Sequence, residues 1–598
     1  MGDFSVNAFV LAAQLPFAVA GFAAEPRVVA VPPTAAVRDL CVTASGEIRH
    51  YGWREADGTR RRVYIASTDW GETWRTVDAA ANDVGPMVCS PYSGEWIYFR
   101  QRADRSLDCV RSTIGPGDTH PEVTPTGLSD LELRQMLPLA SRKRWIACFS
   151  DASCPDGRSY ASVLLLSDDD GHTWRRVDVL PVPNVPRLAP GDRRPHWHCD
   201  GGEPTVAELT DGTLLMAVRS SGPHVAFYRS TDGGDSWSEG RPNPAFWQAN
   251  TMPYFFRLRN GRLLFIWNNT EMLPTRAVEE YPELTADERS GRWESVFTNR
   301  DALHAAVSDD DGMTWHGYRE IALSPNRNDA DFREQGNGRV DEHDKSVHQT
   351  QALERPDGTV LLALGQNSSV RRIVVLDPSW LDETSRTEDF RQGLGAVSTH
   401  LYVRSLTGGA RGWAGHCAWN RVPGALLVRE PDTGPSTVRE SLQLCRVPDQ
   451  RLVSDRQGVV WNFPALRRGV FKTECRIEGD GFRLSLMDHW VNPCDEMVAD
   501  KAAVTFVVTP DMIARATWLV LTVSWDFDAK RAVLRCDGKV LAEAVPSSCP
   551  AFGLSYVHLQ TLAESADFRG TYFRSLSAVA SSAIARNGFS QDRVGQMK

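Results

Sequence analysis

The chain lacks the cysteine pairs and the long apolar runs that define several classes of protein. Its 598 residues include 12 cysteines, but none forms a C-x-x-C pair, so the sequence offers no zinc-like ligand spacing. Beyond the N-terminal region, no segment is long and apolar enough to span a membrane. The formal net charge of -10 argues against nucleic acid as a partner. What remains is a globular composition in a chain too long for one ordinary domain.

The N-terminal segment, residues 1–26, has some features of an export signal and lacks others. Val6 to Ala24 is largely apolar and ends in small residues, as a cleavage site requires. The basic residues that open such signals are missing, because the chain starts Met-Gly-Asp. These features slightly favour a secreted or periplasmic protein over a cytoplasmic one. The cysteines are then expected to be free buried thiols, with disulfides as the alternative in an exported protein.

One short motif recurs in the first half of the chain. Its pattern is S-x-D-x-G-x-[T/S]-W, and the four copies occupy residues 67–74, 167–174, 230–237 and 308–315. An apolar, alternating segment precedes each copy, which is typical of a strand that enters a turn. Aspartate accepts hydrogen bonds from the backbone of its own turn, and glycine adopts a positive φ there. The repeat therefore predicts strand–turn–strand units in which each aspartate serves folding.

This motif resembles the Asp-box, or BNR repeat, of the sialidase superfamily, whose members are six-bladed β-propellers. The resemblance implies an all-β fold with six blades of about 40–50 residues each within residues 27–415. The gap between Trp74 and Trp174 is wide enough for a blade with a degenerate box.

No further copy of the box follows the fourth one at residues 308–315. Residues 425–580 contain many short strand-like segments separated by turns, which predicts a β-sandwich. Their layout resembles the concanavalin-like jelly rolls attached to many glycan-processing enzymes. Within it, the segment from Gly553 to Thr561 is expected to be a core strand, with a sugar-binding groove as the alternative. Residues 581–598 are expected to form a C-terminal tail.

The best candidate for a site precedes the third box. Glu203 opens a predicted strand, and the next strand ends at Arg219. In sialidases a glutamate at this place supports the nucleophile, and the arginine binds the substrate carboxylate. An arginine offers a planar fork for such a contact, although an Arg–carboxylate pair can also be purely structural. Arg300, ahead of the fourth box, matches a further carboxylate-binding arginine of the family.

The acid of the family lies in a loop that leads to the first box, and Asp57 lies in that loop here. A carboxyl group there can protonate a leaving oxygen if its pKa is raised, whereas the alternative is an ordinary Asp57-Gly58 hairpin turn.

Two features of the family pattern are missing. There is no Arg-Ile-Pro segment to supply the first arginine of a triad, and Arg38 is a poor substitute. The tyrosine nucleophile is also absent, because His348 or Gln349 stands near its place. His348 is a candidate base, since imidazole titrates near neutrality. Lys345 and Gln349 are candidates for substrate binding, with Lys345 able to bind a carboxylate or stabilise an anion.

A histidine-rich loop lies before Glu203. Trp197 and His198 are candidates for a pocket wall, with the indole stacked on a sugar. The alternative is that His196, His198 and Asp200 bind a metal ion. No second ligand set accompanies them in the sequence, so neither a metal nor a cofactor is expected.

Together these residues predict a carbohydrate-active enzyme, a glycoside hydrolase that releases an acidic sugar from a glycan. A polysaccharide lyase that uses His348 as base on a uronate is one alternative. A glycan-binding propeller without catalysis is another. The expected partner is a carboxylate-bearing glycan and neither nucleic acid nor a membrane; the oligomeric state is left open.

Overall fold

Short antiparallel strands make up almost all of the regular structure. The computed structural model describes residues 24–34, 39–80, 83, 85–153, 160–185, 199–271, 300–325, 327–328, 346–365, 370–403, 419–423, 425–431, 439–446, 457–493, 495 and 497–581. Within these ranges no helix has the length and apolar character needed to cross a membrane. The cysteines that fall inside them are free thiols.

The first strand, β1 (Arg27–Ala30), belongs to a sheet that is completed late in the chain, and three four-stranded antiparallel sheets follow it. The first blade contains β2 (Leu40–Val42), β3 (Ile48–Ala56), β4 (Thr59–Ser67) and β5 (Arg75–Asp78). The second contains β6 (Val88–Cys89), β7 (Trp96–Gln101), β8 (Ser106–Ser112) and β9 (Glu122–Ser129). The third contains β10 (Leu131–Pro138), β11 (Trp145–Asp151), β12 (Ala161–Ser167) and β13 (Arg175–Asp178).

Three further blades complete the propeller. The fourth contains β14 (Gly202–Glu208), β15 (Leu214–Arg219), β16 (His224–Ser230) and β17 (Arg241–Trp247). The fifth contains β18 (Tyr254–Arg257), β19 (Leu263–Trp267), β20 (Ala302–Ser308) and β21 (His316–Leu323). The sixth contains β22 (Gln351–Glu354), β23 (Val360–Leu364) and β24 (Arg372–Leu376), and β1 supplies its outer strand. The expected six-bladed propeller is thereby confirmed.

Each box connects the third and fourth strands of a blade. In the first blade the Asp69 carboxylate accepts hydrogen bonds from Ser67 Oγ at 2.7 Å and from the backbone N of Thr73 at 2.9 Å. Gly71 has φ 90°, and its carbonyl accepts a bond from the Trp74 indole at 3.0 Å. The other three copies repeat these contacts. The aspartates are thus held by their own turns, as the sequence predicted.

The box glycines also pack against the preceding blade and so help to close the ring. A Cβ atom on Gly171 of the third blade would lie 2.6 Å from Ile97 of the second, and one on Gly71 of the first blade 2.9 Å from Leu361 of the sixth. The second blade carries a degenerate box, because the Ser112 hydroxyl accepts a bond from the backbone N of Gly115 at 2.9 Å. It fills the gap between Trp74 and Trp174, where the sequence left room for a blade.

A β-sandwich follows the propeller, as expected. One sheet contains β25 (Ser385–Glu388), β29 (Ala425–Arg429), β30 (Glu440–Arg446), β32 (Arg468–Ile477), β35 (Leu519–Asp526), β36 (Arg531–Cys536), β37 (Lys539–Ala544) and β39 (Asp567–Ala580). The other contains β26 (Val397–Ser398), β31 (Gly458–Leu466), β33 (Phe482–Met487), β34 (Val504–Val508) and β38 (Leu554–Thr561). Outside them lie the hairpin of β27 (His400–Val403) and β28 (Trp419–Pro423), the helix α1 (Val498–Lys501) and a 3-10 helix at Pro378–Asp382.

The sandwich takes up chain that the sequence assigned to the propeller. β25 and β26 fall within residues 27–415, yet they pair with β39 and β31 of the sandwich. The physical reason is that the last blade has no box, so the sequence carries no marker for the end of the ring. The expected core strand at 553–561 is confirmed, because β38 is buried along its whole length between β31 and β33.

A buried polar network joins the fifth blade to the sandwich. The Tyr556 hydroxyl donates to Glu320 at 2.8 Å and lies 2.5 Å from His304 Nε2. Arg327 donates to both oxygens of Glu320, at 2.7 and 3.0 Å. Burial lowers the pKa of His304 to about 4, and its Nδ1 accepts a bond from the backbone N of Asn269 at 3.0 Å. The neutral ring therefore carries its proton on Nε2 and donates it to Tyr556.

Candidate functional site

One end of the propeller, here called the mouth face, collects the predicted site residues. Strands alternate in direction within each blade, so inner strands begin, second strands end and third strands begin at the same end of the ring. Glu203 lies at the start of β14, Arg219 at the end of β15, and Arg300 just before β20. His348 and Gln349 immediately precede β22. The boxes follow the third strands and therefore lie at the opposite end.

Glu203 is the centre of the site and is 2% exposed. One carboxylate oxygen lies 2.9 Å from Arg219 Nη1, and the other lies 3.2 Å from Arg134 Nη1. Gln349 Nε2 donates to the second oxygen at 3.4 Å. The backbone N of Glu203 donates to Ser150 Oγ at 3.0 Å, which ties the start of β14 to the third blade. Side chains of the third, fourth and sixth blades thus contact the Glu203 carboxylate.

The charges around Glu203 keep it ionised. Burial alone would raise its pKa, but the positive charges of Arg134 and Arg219 outweigh burial and hold the pKa well below its usual range. The same pairing raises the pKa of Arg219, although burial acts in the opposite direction. A carboxylate held in this way is a fixed negative charge and a poor proton donor at neutral pH.

Asn250 connects the two arginines that the sequence predicted. Its side-chain oxygen accepts a bond from Arg219 Nε at 2.7 Å, and its backbone carbonyl accepts a bond from Arg300. Arg219 and Arg300 are exposed by only 4% and 2%. Their guanidinium groups are therefore fixed in orientation before any ligand binds. This fixed orientation lowers the entropic cost of binding a ligand.

His348 and Gln349 belong to the sixth blade, where they come shortly before β22. Arg300 Nη1 approaches His348 Nε2 at 3.5 Å. Guanidinium groups only donate, so Nε2 is the acceptor in this contact. Gln349 uses its amide nitrogen for Glu203 and its oxygen for Arg134, at 3.5 Å. The structure thus brings His348 and Gln349 into contact with the arginine–glutamate cluster.

Backbone strain is concentrated in the same cluster. Glu203, Asn250 and Gln349 have φ values of 47°, 50° and 64°. Residues other than glycine rarely adopt this left-handed backbone region. Such conformations cost about 1–3 kcal/mol each and persist where the surroundings enforce them. Glu203 and Gln349 contact each other, and Asn250 is bonded to Arg219 in the same cluster; strained residues grouped in this way are typical of a functional site.

Two residues of the site escaped the sequence analysis. Arg134 donates to Ser150 Oγ at 3.1 Å and to Glu132 at 2.6 Å, in addition to its pairing with Glu203. It lies at a register shift between Leu133 and Gln135, so strand alternation could not predict where it points. Tyr160, just before β12, packs against Gly202. The motif resemblance gave no signal for either residue.

Asp57 lies at the tip of the β3–β4 hairpin and is exposed. Both Asp57 and Gly58 have positive φ, 53° and 70°, and the flanking residues Ala56 and Thr59 pair directly. The hairpin therefore has the two-residue Asp57-Gly58 turn that the sequence analysis gave as the alternative to a catalytic role for Asp57. The hairpin connects a second to a third strand, so Asp57 is on the mouth face. Its role as the acid stays a prediction. Lys345, Trp197 and His198 lie outside the described residues, and their roles stay predictions too.

Comparisons with known proteins give one family match and several distant structural similarities. Residues 127–329 match a family described as "BNR repeat-like domain". No curated protein sequence matches the chain. A solved structure of a protein of unknown function from Dyadobacter fermentans is similar at 15% identity and a TM-score of 0.35, over 59% of this chain and 98% of that one. Trypanosoma rangeli sialidase, solved in complex with sialic acid, is similar at 12% identity and a TM-score of 0.32, over 91% of each chain.

The four boxes, the six blades and the family match therefore define the class. The chain carries a BNR repeat-like domain, and its predicted resemblance to the sialidase-like BNR-repeat superfamily is confirmed. In architecture it is a sialidase-like propeller followed by a β-sandwich.

Proposed function

We propose that this protein is a carbohydrate-active enzyme, a glycoside hydrolase that releases a carboxylate-bearing sugar from a glycan. The observation that carries the proposal is the convergence of arginines at Glu203. Arg134 and Arg219 both contact this one buried carboxylate, and Arg300 is linked to Arg219 through Asn250. Guanidinium groups held in place at one end of the ring are complementary to an anion, and their planar geometry suits a carboxylate.

Arg134 also bears on the missing first arginine of the family triad. The sequence offers only Arg38 at the expected place, whereas Arg134 approaches Glu203 from the third blade. With Arg219 and Arg300 it makes three guanidinium groups at one end of the ring. In the proposal these three arginines and Lys345 bind the substrate carboxylate.

The remaining roles follow from ionisation and contacts. Glu203 stays charged, so it supports positive charge that develops in the reaction and does not donate the proton. Asp57 is proposed as the acid, because its carboxyl group lies at the tip of the hairpin that projects from the mouth face. His348 contacts Arg300 and stands near the place of the family's tyrosine nucleophile, and it is proposed as a general base instead. Trp197 and His198 are proposed as the sugar-stacking wall, and Gln349 as a substrate contact.

Mass spectrometry of products tests the proposal. The full chain is incubated with sialylated and with uronate-containing oligosaccharides, and Glu203→Gln serves as the matched variant. Release of an acidic sugar with gain of one water, absent from the variant, supports the hydrolase. A product with an unsaturated ring and no added water would replace it with the lyase, in which His348→Ala abolishes turnover. Binding of the oligosaccharides without any product would replace it with a glycan-binding propeller.

A further inference from the structure

Tyr160 lies on the mouth face at the junction of the third and fourth blades. It immediately precedes β12, and its side chain packs against Gly202, the residue before Glu203. A Cβ atom on Gly202 would lie 2.8 Å from Cβ and 3.7 Å from Cγ of Tyr160. Only glycine leaves room for the tyrosine at this point. This packing places the base of the Tyr160 side chain beside the start of the strand that carries Glu203.

Tyr160 differs from the charged members of the cluster in its exposure. Glu203, Arg219 and Arg300 are almost fully buried, whereas Tyr160 is half-buried. An incoming molecule can therefore reach the tyrosine more readily than it can reach the carboxylate.

The surroundings favour the neutral phenol. Burial raises the pKa of Tyr160, and the negative charge of Glu203 raises it further, against the opposing charge of Arg219. Glu132 and Arg134 act on the same hydroxyl with opposite signs. A phenol that keeps its proton is a hydrogen-bond donor, and it is not activated as a nucleophile.

We propose that Tyr160 is a substrate-contacting residue whose hydroxyl donates a hydrogen bond to an oxygen of the acidic sugar. The inference rests on the proposed function and adds a phenol hydroxyl to the charged and amide groups of the site. Because Tyr160 belongs to the third blade and Arg219 to the fourth, the bound sugar spans the junction between these two blades.

Isothermal titration calorimetry with sialic acid and with glucuronate tests the inference on the full chain. For the sugar that the wild type binds, Tyr160→Phe is expected to weaken binding about fivefold to tenfold, the value of one lost hydrogen bond. The phenylalanine ring keeps the packing against Gly202, so the thermal midpoint should stay unchanged. The matched control is Tyr572→Phe, which removes a hydroxyl from a half-buried tyrosine of the sandwich and should leave affinity unchanged.

A second measurement needs no variant. Nitration of the wild-type protein, followed by peptide mass spectrometry, should modify Tyr160 less when the sugar is present, whereas Tyr572 should react equally in both conditions. Equal affinity of Tyr160→Phe and wild type, or nitration of Tyr160 that the sugar does not reduce, overturns the inference and leaves the proposed function standing. If the wild type binds neither sugar, the proposed function fails and the inference fails with it.

Discussion

Replacing Glu203 by glutamine is the most direct test of the charge balance at the mouth face. The substitution keeps the size of the side chain but removes the negative charge that Arg134 and Arg219 share at 3.2 and 2.9 Å. Breaking a buried ion pair by removing one partner typically costs 3–5 kcal/mol of unfolding free energy. Glutamine still offers one oxygen as an acceptor, so we expect a loss of about 3 kcal/mol at pH 7.

The pH dependence follows from the direction of the pKa shift. The folded-state pKa of Glu203 lies below its unfolded value near 4.5, so its stabilising contribution is complete above that value. The contribution is lost as the pH falls from 4.5 towards the folded-state pKa. The difference between wild type and Glu203→Gln should therefore be largest at pH 7 and clearly smaller at pH 3. Urea unfolding followed by tryptophan fluorescence at both pH values measures it.

The matched control is Glu543→Gln. Glu543 also pairs with an arginine, Arg531 at 2.5 Å, but both side chains are about half exposed on the sandwich. Solvent screens such a pair, so no measurable change in stability is expected. If Glu203→Gln were as stable as wild type at pH 7, or if its deficit were the same at pH 3, the account of Glu203 as a buried paired charge would be wrong.

Three other changes separate folding from binding. Asp232→Ala removes the acceptor of the third box, so it should cost about 1–3 kcal/mol in urea unfolding and leave sugar affinity unchanged; a change in affinity would place the box in the site. Tyr556→Phe leaves Glu320 and His304 without the bridging hydroxyl, so it should lower the thermal midpoint in calorimetry by the equivalent of about 1–3 kcal/mol, and an unchanged midpoint would contradict the network. Arg219→Lys replaces a fork by a point charge and should weaken binding of an acidic sugar at least about tenfold, whereas equal affinity would argue against carboxylate binding.

The boxes made the propeller predictable because each one is a local device. Ser67, Asp69, Gly71 and Trp74 satisfy one another within a single turn, so eight residues of sequence suffice to identify it. The sixth blade could not carry a box, because its third and fourth strands are far apart in the chain and no turn joins them. The end of the ring was misplaced for the same reason.

The sequence located site residues only where the family resemblance gave a fixed place for them. Glu203 and Arg219 stand at such places before the third box, and the structure joins them at 2.9 Å. Arg134 and Tyr160 come from the third blade, where the resemblance indicated no site residue. Arg134 also lies at a strand irregularity, where the alternation of side chains fails. Contacts of this kind depend on tertiary packing between blades and leave no periodic signal in the sequence.

The pairing of β1 with β24 sets the order in which the protein can be built. β1 leaves the ribosome before every other strand of the propeller, but its partners, Ile373 to Val375, are synthesised more than 340 residues later. During synthesis β1 has no strand to pair with until β24 has been made, so the ring stays open until the chain has passed Leu376. Blades one to five can form in sequence as they emerge, whereas closure is a late, long-range step of the kind that folds slowly. Nascent chains that are stalled before and after residue 376 should therefore differ sharply in their resistance to proteolysis.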